Sequence, residues 1–227
     1  TMKQDIEVSV YANIRSNTSD KCPLIALLRN MKTNPKLKEE IEQLRLLRKD
    51  DEKLYKRRKS ELPAFTASGI FSQRKSTGLE IYNGYICIDI DGQDNPDITD
   101  FSRLRDELSK IKNIDACFLS ASGEGVFCFV RVGDDPKQHK QYFNALSVCF
   151  KELGINVDEK CSDISRLRFS TFDADGYLDE NDPIPFTQTL DQKAMNRSVN
   201  KKTISTSKKF SRNVLLQEDS MRRVERV

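Results

Sequence analysis

The feature that most constrains this chain is an apolar segment that carries two carboxylates near its end, Tyr85-Ile86-Cys87-Ile88-Asp89-Ile90-Asp91-Gly92. Its composition is typical of a buried β-strand, in which alternate side chains point to opposite faces. Asp89 and Asp91 therefore share one face, roughly 7 Å apart along the backbone, and three isoleucines occupy the other. Because neighbouring carboxylates repel each other and are costly to bury, a bound divalent cation is the simplest explanation for the pair.

The composition predicts one substantial hydrophobic core, since the chain has 227 residues of which 37% are hydrophobic and 32% charged. It contains no apolar run near the roughly 20 residues that cross a membrane, and its polar amino terminus lacks a signal-peptide pattern, so we expect no membrane partner and a cytoplasmic location. The six cysteines form no CxxC pair and His139 is the only histidine, which argues against zinc. We expect His139 to be solvated or to cap a helix.

Residues 1–60 are predicted to form a helical amino-terminal extension, and residues 187–227 a basic linker or the start of a carboxyl-terminal module. The extension contains a predicted edge strand at 6–11, a short helix at 23–31 and one long amphipathic helix at 35–60. Five cations at 53–59 suit the helix dipole and could equally contact a nucleic-acid backbone.

The carboxyl-terminal tail holds most of the positive charge. Residues 187–227 contain ten Lys and Arg against four Asp and Glu, so they contribute +6 to a net charge of +3. Their composition predicts disorder to about residue 211, followed by another helix. Such a tail either binds polyanions or is a solvated linker.

Residues 61–186 are predicted to form an α+β core with βαββαβ order. After a loop at 61–77, the expected elements are a strand at 85–91, a helix at 99–111, strands at 114–120 and 126–132, a helix at 136–153 and a strand at 166–172. This order is that of ferredoxin-like and RNA-recognition (RRM-like) folds, with helices on one face of a four-stranded sheet. The other face is then open for function or covered by the amino-terminal region.

Two further segments are predicted to meet the aspartate pair. Ser120-Ala121-Ser122-Gly123-Glu124-Gly125 is a turn of small residues whose hydroxyls and amides suit phosphate oxygens. Asp158 is followed by Arg166 and Arg168, a combination that offers an acid for cations and guanidiniums for phosphate. The alternative for the arginines is a surface network with Asp163 and Asp173.

These segments resemble the three motifs of the archaeo-eukaryotic primase, or primase-polymerase, superfamily. The motifs are Ile88-Asp89-Ile90-Asp91, then Ser122 to Phe129, then Val157-Asp158 with Arg166-Leu167-Arg168. A closer resemblance, over about residues 55–186, is to the VirE N-terminal domain family of Bacteroidetes mobile-element and phage proteins. It rests on Leu62 to Gly69, the aspartate strand, the small-residue turn and Asp163 to Phe169.

The resemblance implies a DNA primase/polymerase-type nucleotidyltransferase that adds nucleotides to a primer or first nucleotide on a single-stranded DNA template by two-metal phosphoryl transfer. It implies that Asp89, Asp91 and Asp158 hold two Mg²⁺ or Mn²⁺ ions. The nucleoside triphosphate would be held by Ser120, Ser122, Gly123, Gly125, Arg166 and Arg168. A helicase or primase module following this domain is a further implied partner.

Phe127 departs from the primase pattern, which usually has a nucleotide-contacting histidine at this place. Either Arg166, Arg74 or Lys75 compensates, or the domain is a catalytically degenerate nucleic-acid- or nucleotide-binding module. In that second interpretation Phe127 and Phe129 could stack on bases, although core packing is the alternative and is favoured for Phe129.

A third interpretation takes Asp89-Ile90-Asp91-Gly92 as the nucleophile loop of a haloacid-dehalogenase-type phosphatase, with Asp134 and Asp135 as its later acids. It ranks last, because Gln93 replaces the usual threonine and the strand order does not suit a doubly wound sheet.

Overall fold

Two four-stranded antiparallel sheets organise the computed structural model, which describes residues 6–191. The predictions for the tail beyond residue 191, including its disorder and its last helix, lie outside the described residues. In chain order the strands are β1 (Glu7–Tyr11), β2 (Asp20–Pro23), β3 (Ala64–Thr66), β4 (Gly69–Phe71), β5 (Leu79–Tyr82), β6 (Tyr85–Asp91), β7 (Ile114–Leu119), β8 (Gly125–Arg131), β9 (Leu167–Phe169) and β10 (Tyr177–Leu178). The helices are α1 (Leu24–Thr33), α2 (Pro35–Asp50), α3 (Glu52–Glu61), α4 (Phe101–Leu108) and α5 (His139–Glu152).

The first sheet has the order β2-β1-β3-β9 and the second the order β10-β7-β8-β6, and β4 and β5 form a separate hairpin. The first sheet thus joins strands from both sides of residue 60. The mixed α+β class is confirmed. Since β6 pairs antiparallel with β8, the doubly wound parallel sheet that the phosphatase interpretation requires is not formed. Within residues 6–191 no helix is both long and apolar enough to cross a bilayer.

The predicted fourth strand forms, but it joins a different sheet. The order β7-β8-β6 is the one expected of a ferredoxin-like unit, yet β9 pairs with β3 rather than with β6. Its partner β3 lies in a segment that was predicted to be a loop. The free edge of β6 is instead met by Asp158, whose N–H donates to the Asp89 carbonyl at 2.9 Å. The prediction that all four strands of the βαββαβ unit form one sheet was therefore wrong.

The predicted long helix at 35–60 is two helices, because an aspartate interrupts it. Asp51 has extended backbone angles, and its carboxylate accepts a hydrogen bond from the Leu54 N–H at 2.9 Å. That side chain is a good helix cap, so it starts α3 instead of continuing α2. The helices predicted at 23–31, 99–111 and 136–153 are confirmed with ends shifted by a few residues.

Both faces of the second sheet are buried. Ile86, Ile88 and Ile90 pack against α4 and α5 in one core, as predicted. On the opposite face, Phe127 and Phe129 pack with residues of the amino-terminal region in a second core, and only 2% and 0% of their surfaces are exposed. The interpretation that nucleic-acid bases stack on these two rings is therefore wrong, and the predicted core packing of Phe129 is confirmed.

Candidate metal and phosphate site

Asp89 lies near the carboxyl end of β6 on the face that packs against the amino-terminal region. It is 6% exposed and lies opposite Phe127 in the register of β6 with β8. Asp91 lies two residues further on, opposite Gly125, and is half-buried at the end of the strand. The shared face predicted for the two carboxylates follows from this register.

A buried ion pair accounts for part of the stabilisation of Asp89. The Arg168 guanidinium contacts the Asp89 Oδ2 atom, and Arg168 itself is only 9% exposed. A second Arg168 nitrogen lies 3.1 Å from the Cys161 sulfur. Burial raises the pKa of Asp89 and Arg168 opposes that shift, whereas Asp91 and Asp158 reinforce it. The net shift is upward, so Arg168 compensates for the buried charge only in part.

Asp158 is held beside Asp89 by its own backbone and by a short turn. In addition to the bond from its N–H to Asp89, its Oδ1 caps the 3₁₀ turn Glu159–Ser162 by accepting the Lys160 N–H at 3.0 Å. Its Oδ2 accepts a hydrogen bond from Arg166 at 3.3 Å. A carboxylate oxygen of Asp89, one of Asp158 and the Cys161 sulfur lie within 4.8 Å of one another.

This cluster suits a hard divalent cation. The Asp89 Oδ1 atom is buried and has no hydrogen-bond partner, so it offers a lone pair that the protein leaves unused. Carboxylate oxygens are the ligands that Mg²⁺ and Mn²⁺ prefer. Burial raises the pKa of Cys161, so its sulfur stays a thiol and is a poor ligand. Two of the three predicted ligands thus lie together, while Asp91 is not in this group.

The turn of small residues closes against the end of β6. The Gly92 N–H donates to the Glu124 carbonyl at 3.0 Å, and the Ser120 and Ser122 hydroxyls lie 2.9 Å apart. A Cβ atom at Gly125 would lie 2.7 Å from the Ile90 carbonyl, 3.1 Å from the Asp91 Oδ1 and 3.3 Å from the Ser120 Oγ. A side chain at position 125 would therefore displace the strand end or the neighbouring Asp91 and Ser120 side chains.

A shallow groove adjoins this turn. It is lined on one side by Gly92, Pro96 and residues 98–102, and on the other by Gly123 and Glu124. Asn95 fixes the near wall, because its amide donates to the Asp91 and Asn156 carbonyls at 2.9 and 2.8 Å. The loop after β6 is thereby tied to the segment that precedes Asp158.

Helix α2 contributes two arginines that the sequence analysis missed. Arg45 donates to the carbonyls of Ser120 and Phe172 at 3.1 and 3.2 Å. Arg48 contacts the Glu124 carboxylate and donates to the Tyr55 hydroxyl at 3.2 Å. Both sit on an ordinary amphipathic helix, and no sequence signal connects that helix to a turn some 75 residues away.

The alternative for the third segment, a surface network of its arginines with Asp163 and Asp173, is wrong. Arg166 pairs with Asp158 and Arg168 pairs with Asp89, whereas Asp173 binds Arg105 at 2.8 Å. Arg166 stays exposed and Arg168 is enclosed. The structure thus brings together the aspartates, the turn and the arginines of all three predicted segments. The roles predicted for these residues in binding metal and nucleotide stay predictions.

Comparison with known proteins connects this geometry to a family. Residues 57–178 match the family model described as BT4734-like, N-terminal domain. No curated protein and no solved structure gave a match. The matched segment is more than half of the 227 residues, lies within the 55–186 range of the sequence resemblance, and contains both aspartates of β6, the turn and Arg168. The chain therefore belongs to the BT4734-like N-terminal domain family.

Proposed function

We propose that this domain is a metal-dependent nucleotidyltransferase of the primase-polymerase type, which adds nucleotides to a primer or first nucleotide on a single-stranded template. The observation that carries the proposal is the unpartnered, buried Oδ1 of Asp89 beside the Asp158 carboxylate. A carboxylate oxygen that no protein donor satisfies is costly unless a cation binds it. The neighbouring small-residue turn and Arg166 are suited to the phosphates of a nucleotide.

Asp89 and Asp158, joined by Asp91 at the strand end, are the residues that would hold Mg²⁺ or Mn²⁺. Such ions supply charge neutralisation at phosphate oxygens and activation of an attacking hydroxyl. Arg168 orients Asp89, since its guanidinium is enclosed against that carboxylate. Burial raises the pKa of Asp89 and Arg168 opposes that shift, which favours the charged form that binds a cation.

Arg166 is the arginine that is free to contact the triphosphate. Its side chain is 41% exposed, and its 3.3 Å contact with Asp158 is easily exchanged for a phosphate. The hydroxyls of Ser120 and Ser122 would hold the phosphate tail from the other side, and Gly123 and Gly125 would let it approach the turn closely. The groove beside Gly92 and Phe101 would then accept the nucleoside.

A second candidate is a domain that binds nucleic acid or nucleotides without synthesis. It is favoured by Phe127, which lies opposite Asp89 and stacks on Phe118 with ring centroids 6.0 Å apart. A phenyl ring enclosed in the core cannot supply the hydrogen-bond donor expected at this place. This candidate uses the same turn and arginines, with Arg168 as the permanent counter-ion of Asp89.

The deciding experiment measures primer extension and de novo synthesis on a single-stranded template with Mn²⁺ or Mg²⁺ and labelled nucleotides. The test variant is Asp89→Asn/Asp91→Asn, and the matched control is Asp94→Asn/Asp97→Asn, which removes the same charge from exposed positions in the following loop. The proposal expects synthesis by the parent and the control and none by the test variant. Synthesis that survives in the test variant refutes it, and template binding without product favours the second candidate.

A further inference from the structure

Helix α3 connects two parts of the candidate site. Its buried Tyr55 lies under the Arg48 guanidinium, 5.5 Å from the ring centroid, and Arg48 also contacts Glu124 in the small-residue turn. At the other end of the helix, the Lys59 ammonium lies 5.4 Å from the centroid of Phe169 on β9. Phe169 adjoins Arg168, the partner of Asp89. The orientation of α3 is therefore set by the same elements that position the aspartates and the turn.

The outer face of α3 is strongly basic. Lys53, Lys56 and Arg57 recur at helical spacing and are exposed, and Ser60 continues the same face. Arg15 reaches this face from the loop after β1, with a guanidinium nitrogen 3.4 Å from the Ser60 hydroxyl. We call Arg15, Lys53, Lys56 and Arg57 the α3 basic face.

Little of this charge is neutralised within the protein. Among residues 6–191, Lys53 and Arg57 form no ion pair. Lys56 pairs with Glu52 at 2.7 Å, but both side chains are at least 70% exposed, so the pair is easily exchanged for another anion. Arg74 extends the positive surface, since it donates to the carbonyl of Ile14, the neighbour of Arg15. A surface of this kind attracts a polyanion.

We propose that the α3 basic face binds the sugar-phosphate backbone of a single nucleic-acid strand and guides it toward Asp89 and Asp158. The inference deepens the proposed function, because it assigns the path of the template strand. Phe169, which the Lys59 ammonium of α3 contacts, lies three residues after Arg166, about 10 Å along an extended chain. Because Arg166 contacts Asp158, cationic side chains that can bind phosphate continue from α3 to the carboxylates. The strand must be unpaired there, since its bases have to be available to incoming nucleotides.

The test measures binding of a fluorescent oligothymidylate of about 20 nucleotides to the full chain over a range of salt concentrations. The variant Lys53→Gln/Lys56→Gln/Arg57→Gln removes three cations and keeps good helix formers. The matched control, Lys137→Gln/Lys140→Gln/Lys151→Gln, removes three exposed cations on and just before α5, which packs on the opposite face of the second sheet. Any contribution of residues 192–227 is common to all three proteins.

Loss of three phosphate contacts to a single strand should make the negative slope of log K against log salt concentration less steep by about 2. At about 0.1 M salt this corresponds to an affinity loss on the order of 100-fold in the α3 variant, and the control should bind as the parent does. Equal binding by the α3 variant and the parent overturns the inference, as does an equal loss in the control. Duplex DNA that competes as well as the single strand overturns the assignment to an unpaired strand.

The binding assay contains neither nucleotides nor metal, so its outcome is separate from that of the synthesis assay. Failure of synthesis with α3-dependent binding retains this inference and removes the proposed activity. Synthesis together with binding that does not depend on α3 supports the proposed activity and overturns this inference.

Discussion

His139, the only histidine of the chain, is expected to make the stability of the fold strongly dependent on pH. It begins α5 and is 3% exposed, so the expectation of a solvated residue was wrong. Gln138 is the N-cap of α5, and the His139 N–H closes the preceding 3₁₀ turn Pro136–Gln138 by donating to the Pro136 carbonyl. Its Nδ1 atom lies 3.0 Å from the Tyr82 hydroxyl, and its Nε2 is buried without a hydrogen-bond partner of good geometry. Burial lowers the pKa of His139 to about 4, with Asp163 and the Cys161 backbone opposing the shift.

The size of the effect follows from the difference between the folded and unfolded pKa values. The unfolded chain binds a proton at His139 below about pH 6.5, whereas the folded chain stays neutral there down to about pH 4. In that window the unfolded state carries one more proton, so the free energy of unfolding falls as the pH falls. At about 1.4 kcal/mol per pH unit, the loss is roughly 2 kcal/mol by about pH 5 and roughly 3 kcal/mol by about pH 4.

The assay is urea unfolding followed by circular dichroism at constant ionic strength, at about pH 7.5, 6 and 5. The comparison is with His139→Gln, which keeps a polar group near Tyr82 but cannot titrate. Carboxylates titrate in both proteins, so the difference between their unfolding free energies isolates the histidine. Between about pH 7.5 and pH 5, the parent should lose roughly 2 kcal/mol more of its unfolding free energy than His139→Gln does. A difference that stays constant with pH would show that His139 is not held neutral in the fold.

Two further predictions concern the candidate site. Arg168→Met should lower the free energy of unfolding by about 3 to 5 kcal/mol, because it leaves the buried Asp89 carboxylate unpaired. In urea unfolding, Arg168→Met/Asp89→Asn should recover most of that loss. A double variant no more stable than Arg168→Met would contradict a direct ion pair. Gly125→Ala should weaken Mn²⁺ binding, because the new Cβ would lie 2.7 Å from the Ile90 carbonyl and displace the strand end that carries Asp91. The Mn²⁺ affinity can be measured by calorimetry or paramagnetic resonance. An unchanged Mn²⁺ affinity would exclude Asp91 from the metal site.

Local patterns were sufficient for much of the core. The apolar run before Asp91 specified β6, and the period of hydrophobic residues specified α4 and α5. The approach of the small-residue turn to the aspartate strand was also predictable, because a β-hairpin places its turn beside the end of the neighbouring strand. These features depend on contacts between elements that are close in sequence.

The partners of the site residues were decided by tertiary structure. β9 pairs with β3, and in this position the Arg168 guanidinium contacts Asp89, a partner that the sequence did not indicate. Strands of three residues carry almost no sequence signal, so the choice of partner depends on which edge the rest of the fold leaves open. The burial of His139 and the reach of Arg45 and Arg48 depend in the same way on how distant helices pack.

The sequence by itself determined that two carboxylates end a buried strand, that a turn of small residues follows the next strand, and that cations are concentrated in residues 53–59. Only the tertiary structure decided that Asp89 has both an arginine partner and an unpartnered oxygen, and that α3 is docked between the turn and β9. The physical reason is that residue type and spacing specify which chemical groups are present and which face of an element they share. The distances between groups on separate elements, and hence their charge state, depend on long-range packing.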